Sequence, residues 1–130
     1  MAIRIVRLGS ERVPDEGLRI GTVRHPPRGV RKEAYAAQNF FDVWFPVLAP
    51  SAETLREGRG AETEQDWKRF ARRYRTEMGT PECRATLALL AALSQHSDFS
   101  VGCYCENPHY CHRSILKELL ADAGAVIVEG

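Results

Sequence analysis

The chain has no strong excess of charge of either sign: 18 basic side chains stand against 17 acidic ones, a net charge of +1. That balance argues against a general nucleic-acid or membrane-surface binder, so any cationic function must sit in a local patch. No apolar run approaches the roughly 20 residues of a membrane span. The opening Met1-Ala2-Ile3-Arg4 also lacks the apolar core of a signal peptide. A cytoplasmic protein without a membrane role is expected. There is no internal repeat and no low-complexity tract. What remains is a chain of 130 residues, long enough for one domain spanning 1–130 whose core needs no covalent staples.

Hydrophobic periodicity divides that domain into alternating elements. Ile3–Arg7 and Leu18–Arg24 read as strands, separated by a polar stretch containing Pro14 and Gly17. A basic loop, Arg24-His25-Pro26-Pro27-Arg28-Gly29, follows. Residues 40–48 are aromatic-rich, but Pro46 interrupts any helix there, so an extended or irregular course is expected. Ser51 can cap a short helix to about Glu57, and Gly58-Arg59-Gly60 reads as a flexible break. Thr63 and Asp66 form a capping-box pattern ahead of Trp67, Phe70, Ala71, Tyr74 and Met78, which recur at helical spacing. Gly79-Thr80-Pro81 ends that helix and opens another, with Cys83, Leu87, Leu90 and Ala91 on one stripe, reaching about His96. A strand at 99–105, a helix at 108–123 and a strand at 125–128 complete the pattern. The alternation predicts a single α/β domain with a central parallel or mixed sheet of about four to five strands and helices on both faces.

Chemistry concentrates in residues 103–113, which hold three of the four cysteines, two of the four histidines and one arginine. Asn107-Pro108 has the form of a helix N-cap followed by proline in the first turn, so the segment should pass from strand to helix there. In open α/β sheets, ligands bind beyond the carboxyl ends of the strands. Two such ends would share an edge here, one carrying Arg24–Arg28 and the other Cys105–Arg113. On that reading Arg24, His25, Arg28 and Arg113 hold an anion, His112 donates or relays a proton, and Cys105 or Cys111 is the nucleophile.

Blander readings stand beside this one. Cys103 on an apolar strand reads as core filler. Cys105 and Cys111 are reactive if exposed beside a helix N-terminus and inert if packed beneath it. His112 and Arg113 could equally form a solvated first turn, and Arg24 and Arg28 a charged surface loop. Cys103 and Cys105, with Cα atoms roughly 6.6 Å apart on one strand face, are poorly placed to bridge each other. Reduced thiols are therefore expected, with a Cys105–Cys111 disulfide open only as a redox switch. Cys103, Cys105 and Cys111 with His109 or His112 have the softness zinc prefers. Their spacing is not that of a paired zinc knuckle, so neither a metal nor a cofactor is expected. The cysteine-to-arginine spacings do not suit a cysteine-phosphatase loop either.

The segment Cys103-Tyr104-Cys105-Glu106-Asn107-Pro108-His109-Tyr110-Cys111-His112-Arg113-Ser114 resembles the Cys-x-Glu, acidic-Pro, Cys-His-Arg-Ser signature of the bacterial domain-of-unknown-function family 488, whose close relatives are the YeaO-like proteins. Thr22-Val23-Arg24-His25-Pro26 is similar to the family's Asp-Val-Arg-x-x-Pro element, and Arg24 through Gly29 to the Arg-Leu-Trp-Pro-Arg-Gly of the YeaO-like branch. Trp44 with Leu48-Ala49-Pro50-Ser51 is similar to that branch's Trp-Leu-x-x-Leu-Ala-Pro-Ser. By this match Cys103, Cys111, His112, Arg113 and Arg24 take family positions. Cys105 stands where the family has Glu, and Thr22 where it has Asp. The resemblance covers most of the chain and implies an α/β fold; it assigns no activity, cofactor or substrate.

The expected function is recognition, with or without processing, of a small anionic ligand such as a nucleotide, a sugar phosphate or a nucleic-acid end. Its rivals are a non-enzymatic binding or redox-sensing module using the same hollow, and a zinc-stabilised interaction domain. Oligomeric state is not legible at this level.

Overall fold

In a computed structural model, which describes residues 1–105, 107 and 110–129, five strands and four α-helices follow the expected alternation. The strands are β1 (Ile3–Arg7), β2 (Leu18–Gly21), β3 (Val43–Trp44), β4 (Phe99–Cys103) and β5 (Ile127–Glu129). The helices are α1 (Ala52–Arg59), α2 (Glu64–Glu77), α3 (Pro81–Leu93) and α4 (His112–Asp122). The strands line up as β3-β2-β4-β1-β5, and every pairing is parallel. None of the described helices is long and apolar enough to cross a membrane.

Strand order explains how the sheet is covered. The chain moves one way across the sheet from β3 to β4 and from β4 to β5, and the opposite way from β1 to β2 and β2 to β3. With right-handed crossovers, the first pair of connections must lie on one face and the second pair on the other. The helices occupy the first face, where Ile3, Phe99 and Val101 pack against Phe70, Tyr74, Leu87, Leu90, Ile115 and Leu116. Loops cover the second, where helices were also expected: there Val6 and Leu8 join Val23 and Phe41, with Tyr35 and Phe40 beside them. A single 3-10 turn, Lys32–Ala34, is the helical part of that cover. Strand β4 lies between β1 and β2 and is buried throughout, as a central parallel strand should be.

The loop face is pinned by a buried ion pair. Arg19 and Glu16 are 0% and 2% exposed, and the guanidinium donates to both carboxylate oxygens at 2.6 and 2.8 Å. Its remaining Nη1 donates to the carbonyls of Ser10 and Asn39 at 2.9 and 2.8 Å, and Ser100 adds a hydroxyl to Glu16 at 2.7 Å. One guanidinium thereby ties together the β1–β2 and β2–β3 connections.

The local signals for helix starts operate as read. Ser51 caps α1 through Thr54, Thr63 and Asp66 close a capping box on α2, and Thr80 caps α3 with Pro81 in its first turn. Gly58 and Arg59 belong to the last turn of α1 rather than to a flexible break. A Cβ at Gly58 would lie 2.7 Å from the Phe70 ring, so glycine lets α1 approach α2 closely.

The start of α4 departs from expectation. It opens at His112, with Cys111 as an extended cap at φ −135° and ψ 148°, and not near Pro108. Pro108, His109 and Glu106 lie outside the described residues. The Tyr110 N–H donates to the Asn107 carbonyl at 3.3 Å. Tyr110 packs edge-on against Trp67, with ring centroids 5.6 Å apart, and Cys111 packs against Cys103. These long-range contacts anchor the residues immediately ahead of α4.

Candidate functional site

The expected edge of the sheet carries a cavity of about 340 Å³. Beyond β2 its wall is Val23, Arg24 and His25; beyond β4 it is Tyr104 and Cys105. The far side is Pro50, then Leu55, Gly58 and Arg59 of α1, then Trp67 and Phe70 of α2, with Tyr110 beside them. Cys103, Cys111 and His112 line it as well, and these three are buried.

The cations are distributed differently from the sequence expectation. Arg24 lines the cavity, but its guanidinium also braces the neighbouring loop. Nε donates to the Pro50 carbonyl at 3.0 Å, and Nη2 to those of Pro46 and Ala49 at 3.2 and 3.1 Å. His25 is exposed on the wall, and its carbonyl accepts the Tyr104 hydroxyl at 3.0 Å. Arg28 is exposed and is not part of the wall. Arg113 is not part of it either. It is buried, and its Nη2 donates to the Cys105 carbonyl at 2.9 Å, fixing the strand-to-helix turn from beneath. Burial lowers the Arg113 pKa, and its Nε has no hydrogen-bond partner among the described residues. Arg59 supplies the cation that sequence reasoning passed over. It is exposed, lines the cavity and has no carboxylate partner among the described residues. Its position after Gly58, at the end of a capped helix, was the available signal.

His112 is turned inward. Its ring packs edge-on against Tyr74, with centroids 5.4 Å apart, and its Nε2 lies 2.8 Å from the Thr22 carbonyl. A carbonyl can only accept, so Nε2 carries the proton and Nδ1 presents its lone pair. That Nδ1 lies 3.9 Å from the Cys111 sulfur. Burial, together with the nearby Arg113 charge, holds the imidazole pKa down at about 4 although the Thr22 bond opposes this. His112 is therefore neutral at physiological pH, a better lone-pair donor than proton donor.

The thiols separate into two kinds. Cys103 and Cys111 are paired at sulfur–sulfur bonding distance across the strand-to-helix turn, with Cα atoms 7.8 Å apart, so two of the thiols expected to stand reduced and separate are joined here. The expected alternative partner for Cys111, Cys105, is not involved. With α4 beginning at His112, the extended backbone of Cys111 turns its side chain to the end of β4. Cys103 is buried as expected of core filler, yet it also lines the cavity. Cys105 is free, at an exposed position on the rim. Desolvation pushes its thiol pKa up against the pull of Arg113, Arg59 and Arg7, so the depressed value expected beside a helix N-terminus is not found.

Brief alkylation of folded, reduced protein, followed by mass mapping, should modify Cys105 first. Cys83, Cys103 and Cys111, at 8%, 1% and 2% exposure, should react only on unfolding. Modification of Cys103 or Cys111 ahead of Cys105 would show that the buried end of the cavity is open to solvent.

No curated protein and no solved structure matches the chain. A family model described as the active DUF488-N3 subclade, DUF488-N3a, does match. It spans residues 3–124, from the first residue of β1 to just beyond α4, and the chain is thereby a member of the DUF488 family.

Proposed function

We propose that the cavity binds a small anionic ligand carrying a planar ring, a nucleotide or a nucleic-acid end in preference to a sugar phosphate. The observation that carries this reading is the composition of one wall: Arg24, Arg59 and His25 stand around the same hollow as Trp67, Tyr104 and Tyr110. Guanidinium groups select phosphate, and aromatic faces stack on a base. A volume of about 340 Å³ suits one small ligand rather than a macromolecular surface. The description of the matching subclade as active favours processing of the ligand over binding alone. Cys105 at the rim and His112 with Cys111 deeper in are the groups a bound ligand would meet.

Thermal stabilisation tests this directly. A nucleoside monophosphate should raise Tm according to RT ln(1 + [L]/Kd), and more than ribose 5-phosphate does at equal concentration. Arg59→Ala should remove one charge-assisted contact of about 1.5–3 kcal/mol, a loss of roughly ten- to a hundredfold in affinity. Equal stabilisation of wild type and Arg59→Ala would remove Arg59 from the site. No shift with any phosphate-bearing compound would refute the reading.

A further inference from the structure

We propose that Cys103, Cys111 and His112 form a zinc site: three protein ligands at the buried end of the cavity, with the fourth coordination position open to it. The site deepens the cavity reading and rests on the same hollow. The two sulfurs and one ring nitrogen of His112 all lie within 4.8 Å of one another, and all three residues are buried. The separation of 3.9 Å between Nδ1 and the Cys111 sulfur is close to the edge of a tetrahedron around zinc, where bonds of about 2.1–2.3 Å set ligand atoms roughly 3.6–3.8 Å apart. The backbones of Cys103 and Cys111 are 7.8 Å apart, beyond the roughly 7 Å that a disulfide spans without backbone movement. Once reduced, the two sulfurs part, and two thiolates sharing one ion accommodate that backbone separation.

The surroundings of His112 carry the argument further. A metal-bound histidine commonly donates its other ring N–H to a carbonyl or carboxylate, which fixes the tautomer and aims the lone pair. The 2.8 Å bond from Nε2 to the Thr22 carbonyl does this. Thr22 is itself fixed, because its N–H and hydroxyl both donate to the Gly102 carbonyl, at 3.1 and 3.0 Å. Two sulfurs and one imidazole are a soft donor set that selects zinc over magnesium or calcium. Binding displaces one proton from each thiol, so the resulting complex of Zn²⁺, two thiolates and neutral imidazole has no net charge and suits a buried position. A phosphine first opens the sulfur–sulfur bond by two-electron reduction, itself becoming the phosphine oxide, and zinc binding to the resulting thiols then changes no oxidation state. Three protein ligands and an open fourth position are the pattern of a catalytic rather than a structural zinc, and the ion could hold a water or a ligand oxygen facing the cavity.

The test uses the full chain, reduced with a phosphine and supplied with Zn²⁺ or Co²⁺ alone. One ion per chain should bind with release of two protons, and the cobalt form should show thiolate-to-metal charge transfer. Cys111→Ser should diminish that band, His112→Ala should weaken zinc by about 100-fold or more, and Cys105→Ser should leave both unchanged. Absence of metal binding by reduced wild type, or a cobalt spectrum without thiolate character, would overturn the site. So would zinc affinity indifferent to Cys111→Ser and His112→Ala. The wild-type readings decide the matter even where a variant fails to fold. Nucleotide stabilisation of metal-free protein would then leave the cavity reading standing, whereas metal binding without any nucleotide effect would remove that reading and keep the zinc.

Discussion

Arg19→Ala is expected to lose about 3–5 kcal/mol of folding stability, enough to leave a domain of this size marginal. The guanidinium is fully buried, and the substitution would strand the Glu16 carboxylate, itself 2% exposed, with only the Ser100 hydroxyl and local backbone to stabilise its charge. It would also release the carbonyls of Ser10 and Asn39, loosening both loop connections and through them the β2–β3 segment that carries Arg24 and His25. Removing both charges together, as Glu16→Leu with Arg19→Met, should recover much of the loss, because the penalty lies in leaving one buried charge unpaired. Urea unfolding measures the difference. A loss under about 1 kcal/mol for Arg19→Ala would place the pair with weakly contributing surface ion pairs.

The same pair has a pH signature. Burial raises the Glu16 pKa, but hydrogen bonds from Arg19 and Ser100 and the Arg19 charge more than offset it, so the carboxyl titrates below its ordinary 4.5. A depressed carboxyl contributes its stability above the unfolded-state value and loses it as pH falls through the folded one. Wild type should therefore lose more stability than the double variant as the solution is acidified below about pH 4.5. A parallel decline of the two would show that the carboxylate is not linked to folding.

The elements were legible in the sequence because their signals are local. Ser51, the Thr63–Asp66 box and Thr80-Pro81 each satisfy orphan backbone donors of the helix they precede, and β1 was readable to its ends. The site was legible only as a neighbourhood. Which residues meet there depends on where α4 begins, and that is set by Tyr110 against Trp67 and Cys111 against Cys103, contacts that spacing alone does not encode. The metal argument from sequence assumed ligands in a linear knuckle. The group that forms takes one cysteine from a strand end, one from a helix cap and a histidine one residue later, and it omits Cys105. Cation roles were illegible for a different reason. Arg24 and Arg113 look like anion ligands, but much of their donor capacity goes to backbone carbonyls, while Arg59 was hidden between glycines that looked like a linker. Glu16 and Arg19 read as parts of a polar loop and a strand end, because nothing local announces that both lie under the second face.

Gly102→Ala is the substitution expected to disturb fold and site together. Glycine is usually a weakness in a central strand, having no side chain to pack and the most backbone freedom to lose. Here it is required by close approach: a Cβ at this position would stand 2.4 Å from the Val6 carbonyl oxygen and 3.0 Å from a Val6 methyl. The first obstacle is backbone, and β4 is held on both sides, by β1 through the Val6–Gly102 register and by β2 through Gly21–Gly102. Neither neighbour can withdraw without breaking ladder hydrogen bonds, so overpacking should cost about 3 kcal/mol or more. The displacement would also move the carbonyl that holds Thr22, and Thr22 orients His112. Cys103 is the next residue along. The variant should therefore unfold at lower urea concentration and, while still folded, show an altered His112 imidazole resonance. A stability within about 0.5 kcal/mol of wild type would mean that β1 can retreat at little cost, as expected only of an unconstrained surface position. In that case the strand-end geometry beneath His112 would be softer than the buried ladder implies.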